Sequence, residues 1–151
     1  MRLYIAGGSD ERLTVVRPYI DRMIAHGVTI THDWTRCEGY DREHTDDERR
    51  AWALADEKGV ESADLVWIIV PDAKSEGSAT EIGIARGRRI QFIASGARAR
   101  GNIFVLLAAS IFDAHESAFR AIVDVHEKEV AQMKELRQYR AALRLRRTES
   151  T

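Results

Sequence analysis

Three oxygen-bearing residues stand where a fold could set them to work as acid, base or nucleophile: Glu81, Asp56 and Tyr4. Glu81 lies in Gly77-Ser78-Ala79-Thr80-Glu81-Ile82-Gly83-Ile84-Ala85, just after the longest apolar run of the first half. Ser78-x-x-Glu81 has capping-box spacing, in which the glutamate only bonds the Ser78 backbone N–H. The other reading is a carboxylate held at the ligand edge of a sheet, with the small residues Ala79, Gly83 and Gly87 letting its helix lie close to the strands. Asp56 falls four residues after Trp52 and four before Val60, so on a helix all three share one face. An aspartate on an apolar stripe is expensive to bury unless it is hydrogen-bonded. Either a neighbouring backbone group or arginine satisfies it, or its pKa rises and it can protonate a leaving group. Tyr4 reads as a β-favouring core aromatic, or as a hydroxyl emerging at a strand end within reach of Glu81.

The elements that must position these residues follow from periodicity and turn chemistry. Residues 3–6 form a short apolar run ending in Gly7-Gly8-Ser9, a buried strand entering a tight turn. Leu13, Val16, Ile20, Met23 and Ile24 recur at helical spacing, and Pro18 fits that helix if it begins near Arg17. Gly27 ends it, and residues 28–31 read as a second strand. Residues 37–47 are polar and irregular. Thr45-Asp46-Asp47-Glu48 has capping-box spacing and opens a helix running to about Ser62. Leu65-Val66-Trp67-Ile68-Ile69-Val70, bounded by Asp64 and Pro71, is the clearest strand. Residues 78–87 read as helix, 90–94 and 103–107 as strands, and 115–145 as a long helix, with residues 148–151 frayed. Alternating strands and helices imply a parallel sheet covered on both faces. The expectation is a single α/β domain over residues 1–147: a flavodoxin-like, doubly wound parallel sheet of about five strands with a long C-terminal helix. Ligands in such sheets bind beyond the strand C-termini at the topological switch point. Gly7-Gly8-Ser9, His32-Asp33-Trp34 and the segment 71–81 should meet there.

Bulk properties narrow the classes. The 151 residues suffice for one core, 44% are apolar and 31% charged, and the formal net charge of -1 gives no general pull toward nucleic acid or anionic lipid. Cys37 stands alone, so no disulfide framework or zinc pattern exists. No apolar run approaches the roughly 20 residues of a membrane span, and the N-terminus reads as a strand rather than a signal peptide. A cytoplasmic location is the default. His26, His32, His44, His115 and His126 lack metal-ligand spacing. Arg86, Arg88, Arg89, Arg98 and Arg100 read as a solvated basic face able to steer an anion. Trp34 is either a stacking surface for a base or part of a strand-end packing cluster. Phe119, Val123, Val130, Met133 and Leu136 recur near heptad spacing, which suits packing on the domain or on another subunit, while His126, Arg137 and Arg140 interrupt the seam and argue against a long autonomous coiled coil.

The order of these blocks resembles the nucleoside 2-deoxyribosyltransferase family. Leu3-Tyr4-Ile5-Ala6-Gly7-Gly8 is similar to that family's opening strand and glycine turn. Ala55-Asp56 followed by Ser62-Ala63-Asp64-Leu65-Val66 is similar to its helix-to-strand segment. Pro71-Asp72 and the segment from Gly77 to Ala85 resemble its G-x-x-x-E-x-G-x-A signature, so the likeness covers roughly residues 2–107. It takes in the related deoxynucleoside 5′-monophosphate N-glycosidases and hydroxymethyl-CMP hydrolases. The resemblance implies that Glu81 attacks the anomeric carbon of a deoxyribose, that Asp56 protonates the departing base and that Tyr4 orients the nucleophile. It implies substrate contacts from Gly7, Gly8, Ser9, Asp33, Trp34, Asp72, Ser75, Gly77, Ser78 and Asn102, and a homodimer or larger assembly in which a neighbouring subunit completes the site. No cofactor or metal is called for, since the carboxylate is itself the nucleophile.

Departures from the family bear on the substrate. Where the transferases carry a base-binding aspartate six residues before the nucleophile, this chain has Ser75, as in the monophosphate glycosidases, where a serine binds phosphate. Those glycosidases have a serine at the position of Gly8, and here Ser9 comes one step late. Asn102 or Phe104 holds the place of the polar residue that the family takes from the neighbouring subunit. The expected partners are a deoxynucleoside or deoxynucleotide and a free nucleobase acceptor, without nucleic-acid polymer or membrane. The alternatives are a nucleotide-specific N-glycoside hydrolase and a catalytically silent nucleotide-binding sensor.

Overall fold

The computed structural model describes residues 1–37, 43–72 and 75–148, with side chains described to residue 140. The expected frayed tail and the middle of the irregular 37–47 stretch thus fall largely outside the described residues. Five strands, β1 (Arg2–Ala6), β2 (Thr29–Ile30), β3 (Leu65–Ile69), β4 (Gln91–Ser95) and β5 (Ser110–Phe112), form one sheet in the order β2-β1-β3-β4-β5. Every pairing is parallel. This is the flavodoxin-like order, and its switch point lies between β1 and β3. The helices are α1 (Arg17–Ala25), α2 (Asp46–Glu61), α3 (Glu76–Gly87) and α4 (His115–Thr148). None is long and apolar enough to cross a membrane among the described residues.

Local chemistry explains the element ends. Pro18 sits in the first turn of α1, where its missing N–H costs nothing, and a π-helical turn over Arg12–Val16 leads into it. Gly27 closes α1 with φ +80, which suits glycine. Thr45 and Glu48 cap α2 reciprocally. The sheet's inner strands are apolar on both faces: Leu3, Tyr4, Ile5, Ala6, Val66, Trp67, Ile68 and Ile69 are all at most 1% exposed.

Two expectations are corrected. The apolar run 103–107 is not a strand. Ile103, Phe104, Leu106 and Leu107 stay more than half exposed, and only Val105 is buried. The Asn102 side chain accepts the Phe104 N–H at 2.9 Å and its carbonyl accepts the Val105 N–H, winding the chain into a short 3-10 turn at Val105–Leu107. The fifth strand follows at Ser110–Phe112, paired with β4. Nor do Ala79, Gly83 and Gly87 bring α3 onto the sheet. All three are exposed, and an added Cβ at either glycine would meet nothing within 4 Å. Ser78, Ile82 and Ala85 make that contact. The glycines that permit close approach lie elsewhere. A Cβ on Gly7 would stand 2.5 Å from Val16 Cγ2, and one on Gly8 2.7 Å from Pro71 Cβ. On α2, a Cβ on Gly59 would lie 2.6 Å from His32 Cβ and 2.9 Å from Tyr4 Cε2.

Candidate active site

Tyr4, Asp56 and Glu81 come from β1, α2 and α3 and converge. The Tyr4 hydroxyl lies 2.5 Å from Glu81 Oε1 and 3.1 Å from Asp56 Oδ1. Gly59, one turn after Asp56, lets α2 settle against the Tyr4 ring and so sets this spacing. The capping role for Glu81 is excluded: α3 starts at Glu76, Ser75 is its N-cap, and Ser75 Oγ accepts the Ser78 N–H at 3.2 Å. Glu81 therefore sits inside the helix, with its side chain turned to Tyr4.

Proton counting constrains the cluster. A phenol has one proton and cannot donate it to two carboxylates. Both contacts are hydrogen bonds only when one carboxyl is protonated and donates to the phenol oxygen, while the phenol donates to the other. Burial supplies the reason for that extra proton. Glu81, 8% exposed, is raised by desolvation to about 7 from 4.5; the Tyr4 hydrogen bond opposes the shift and the Asp56 charge adds to it. Asp56 is also raised, chiefly by desolvation, against the Tyr4 hydrogen bond and the charge of His32. Tyr4 itself is driven well above the ordinary phenol range by burial and by the two carboxylates, so it stays protonated and serves as a bridge. His32 Nε2 lies 3.5 Å from Asp56 Oδ1, at the outer end of the cluster.

The remaining candidates divide between two places. A cavity of about 770 Å³ opens between α3 and the segment following β4, a size ordinary for small-molecule sites. Ser75, Ser78, Arg98 and Asn102 line it, with Val70, Pro71, Ile82 and Phe104 among its apolar walls. Tyr4, Asp56 and Glu81 do not. Ser78 is buried, and its Oγ donates to the Gly7 carbonyl at 3.2 Å, tying α3 to the first glycine turn. Glu81 lies on the flank of α3 that faces β1 and α2, on the buried side of the helix that also carries the cavity-lining Ser78 and Ile82. Ser9, Asp72 and Gly77 are exposed nearby, and the Asp72 N–H donates to Glu11 Oε1 at 3.0 Å.

Asp33 and Trp34 have structural tasks. Asp33 accepts from Thr35 N–H and hydroxyl and pairs with Arg36 Nε at 2.7 Å. Trp34 is 8% exposed and donates its indole N–H to the Ile5 carbonyl at 2.8 Å. Of its two readings, stacking surface or packing cluster, the structure gives the second. In the basic stretch, Arg88 pairs with Glu61, Arg98 donates to the Asp72 carbonyl, and Arg100 lies 3.6 Å from Asp113.

The sequence placed His32 at the switch point beside Asp33 and Trp34, without its contact to Asp56. Gly59 escaped the reading of the sequence, and its signal is that of a poor helix former inside an otherwise good helix. Comparison with protein-family models, characterised proteins and solved structures finds no match to this chain.

Proposed function

We propose that this chain cleaves or exchanges the N-glycosidic bond of a 2′-deoxyribonucleoside or its 5′-monophosphate, with Glu81 as nucleophile. The observation that carries the reading is the hydrogen-bonded chain Asp56–Tyr4–Glu81, two raised carboxylates joined through one phenol. Glu81 in its ionised form attacks the anomeric carbon. The bond to the base breaks, its electron pair goes to the base nitrogen, and Asp56 gives that nitrogen a proton. A second displacement by a base nitrogen or by water, its proton returning to Asp56, frees Glu81 and retains the anomeric configuration. Glu81, the more buried carboxylate, favours holding the proton in the free protein. Tyr4 provides the route out: it takes the proton from Glu81 on its oxygen and passes its own to Asp56. Ser75 favours the monophosphate, because its Oγ accepts the Ser78 N–H at the start of α3 and its O–H, which meets Ser78 Oγ at 3.1 Å in the free protein, can rotate to donate to a phosphate oxygen. A silent nucleotide sensor has no use for a buried carboxylate that weakens the fold at neutral pH.

The test is incubation with deoxynucleosides and their 5′-monophosphates, with and without a free acceptor base, followed by chromatography and intact-protein mass spectrometry. Free base should appear, with a deoxyribosyl adduct that maps to Glu81. Absence of both across all four bases would overturn the reading.

A further inference from the structure

The face of the sheet under α1 and α4, opposite the one that carries Tyr4, Asp56 and Glu81, has a polar string of its own. Trp67 and Ser95 are fully buried there, and Tyr19 of α1 meets the Trp67 ring edge-on at 5.1 Å between centroids. The Trp67 indole N–H donates to Ser95 Oγ at 2.8 Å, and Ser95 Oγ lies 2.8 Å from His115 Nδ1. His115 is the first residue of α4 and only partly buried. The seat for its ring is built. Gly96 follows Ser95 with φ +126, and a Cβ there would stand 3.1 Å from His115 Cε1 and 3.0 Å from the Val70 carbonyl oxygen. A side chain at position 96 would push the ring off Ser95.

Proton counting fixes the state of that ring. An indole nitrogen only donates, so Ser95 Oγ accepts from Trp67. Among the described residues the hydroxyl has no third partner, so its own proton goes to Nδ1. His115 is therefore neutral, with its proton on Nε2. An imidazolium has two donors and no acceptor. Protonating His115 in its seat would turn an N–H toward Ser95 and leave the buried hydroxyl proton without an acceptor. It would also set a cation at the positive end of the α4 dipole. Outside the seat the balance reverses, because the charges of Glu11 and Asp72 reach the ring and favour its protonated form. Burial holds His115 below the ordinary imidazole range, and those two carboxylates oppose that shift. The other groups around the ring are Tyr19, 6.1 Å away between centroids, and Arg98, which donates to the Asp72 carbonyl. Next along α4, Glu116 accepts from Arg22 of α1 at 2.8 Å, and that hydrogen bond lowers its pKa, so this pair stays closed while a histidine titrates.

We propose that His115 is an acid-released clamp on the first turn of α4. Neutral, it fastens α4 to β4 through Ser95. Protonated, it leaves that seat for Glu11 and Asp72 and frees the turn that carries it. A base held below its free value is fully docked above about 6.5 and is released as pH falls below it. Phe119 and Ile122 stay buried and hold the rest of α4, so the change is a local opening. The clamp is independent of the glycosidic chemistry.

Nitrogen NMR of the full chain reads the tautomer: Nδ1 should lack a proton at about pH 7.5. Amide protection factors over residues 118–121 should fall by on the order of tenfold between about pH 7.5 and about pH 5, the worth of one buried hydrogen bond. His115→Asn presents an oxygen near the place of Nδ1 and cannot titrate, so its protection should hold. Glu11→Gln keeps an oxygen for the Asp72 N–H and removes a charge that draws the imidazolium out, so release should need a lower pH. A proton on Nδ1 at neutral pH, a wild type equally protected in acid, equal losses in wild type and His115→Asn, or release of Glu11→Gln at the wild-type pH would each overturn the clamp.

Discussion

Replacing Glu81 with glutamine should stabilise the protein at alkaline pH by an amount the site geometry sets. In the folded chain burial raises Glu81 to about 7, against 4.5 for the free group. A carboxyl whose folded pKa lies above its unfolded one binds its proton more tightly in the native state. Its contribution is fully present below about pH 4.5 and is lost as pH rises through about 7. The difference corresponds to about 3 kcal/mol, at roughly 1.36 kcal/mol for each tenfold change in proton affinity. Glutamine keeps an oxygen to accept from Tyr4 and has no charge to bury. Wild type and variant should therefore be nearly equal at pH 4 and differ by about 3 kcal/mol at pH 8, with the variant the more stable. Urea unfolding across this range gives the difference curve, in which titrations common to both proteins cancel. With a urea m-value of about 2 kcal/mol/M, the midpoint separation at pH 8 is about 1.5 M. The same variant should lose all turnover. A flat difference curve would refute the argument that Glu81 is ionised at the expense of the fold, whatever the activity does.

Four further outcomes follow from the same geometry. Tyr4→Phe removes the bridge, so the Glu81 carboxyl signal in carbon NMR should titrate on the order of one unit higher, one charge-assisted hydrogen bond being worth about 1.5–3 kcal/mol; an unmoved midpoint would show that the phenol does not hold the carboxylate. Asp56→Asn should slow release of poor leaving bases by roughly 10²–10⁴-fold and spare activated ones, and equal losses on both would give Asp56 a positioning role only. Ser75→Asp preserves the helix cap, since aspartate caps as well as serine, so urea stability should hold while the kcat/KM preference for monophosphate over nucleoside falls by on the order of tenfold; an unchanged ratio removes Ser75 from phosphate recognition. Gly59→Ala improves helix propensity by about 1 kcal/mol yet should destabilise by about 1–3 kcal/mol through contact with His32 and Tyr4, and a net gain in urea stability would show that α2 can retreat freely.

The parts of this fold that were legible in the sequence are those that local rules decide. β1 and β3 are buried on both faces and announce themselves as continuous apolar runs. Thr45 and Glu48 give the start of α2, and Pro18 the start of α1, because capping and proline geometry act within one turn. The 103–107 run misled because apolar content alone does not make a strand. Asn102 turns the chain there, and the strand passes to Ser110–Phe112, whose polar first residue hides it. The trio Tyr4, Asp56 and Glu81 was reached through spacing and resemblance, and its hydrogen bonds needed the sheet order to be realised. Gly59 and Gly83 look alike in a helical sequence; only packing tells which one faces a neighbour. Ser75 and Asn102 illustrate the reverse case, since the resemblance placed them with Glu81 and the cavity they line is lined by none of Tyr4, Asp56 and Glu81.

The three oxygens have one dry end and one wet end. Tyr4 is fully buried and Glu81 nearly so, whereas the Asp56 side chain is 34% exposed beside His32. A proton exchanged between Glu81 and bulk water has its most open passage at Asp56. A molecule seated over Asp56 closes that passage, and the number of protons then present stays fixed until it departs. Under the proposed reaction, the pH of the medium then acts at the instant of capture rather than in the steps that follow. A complex formed at one pH and shifted rapidly to another should react as though the first pH still applied.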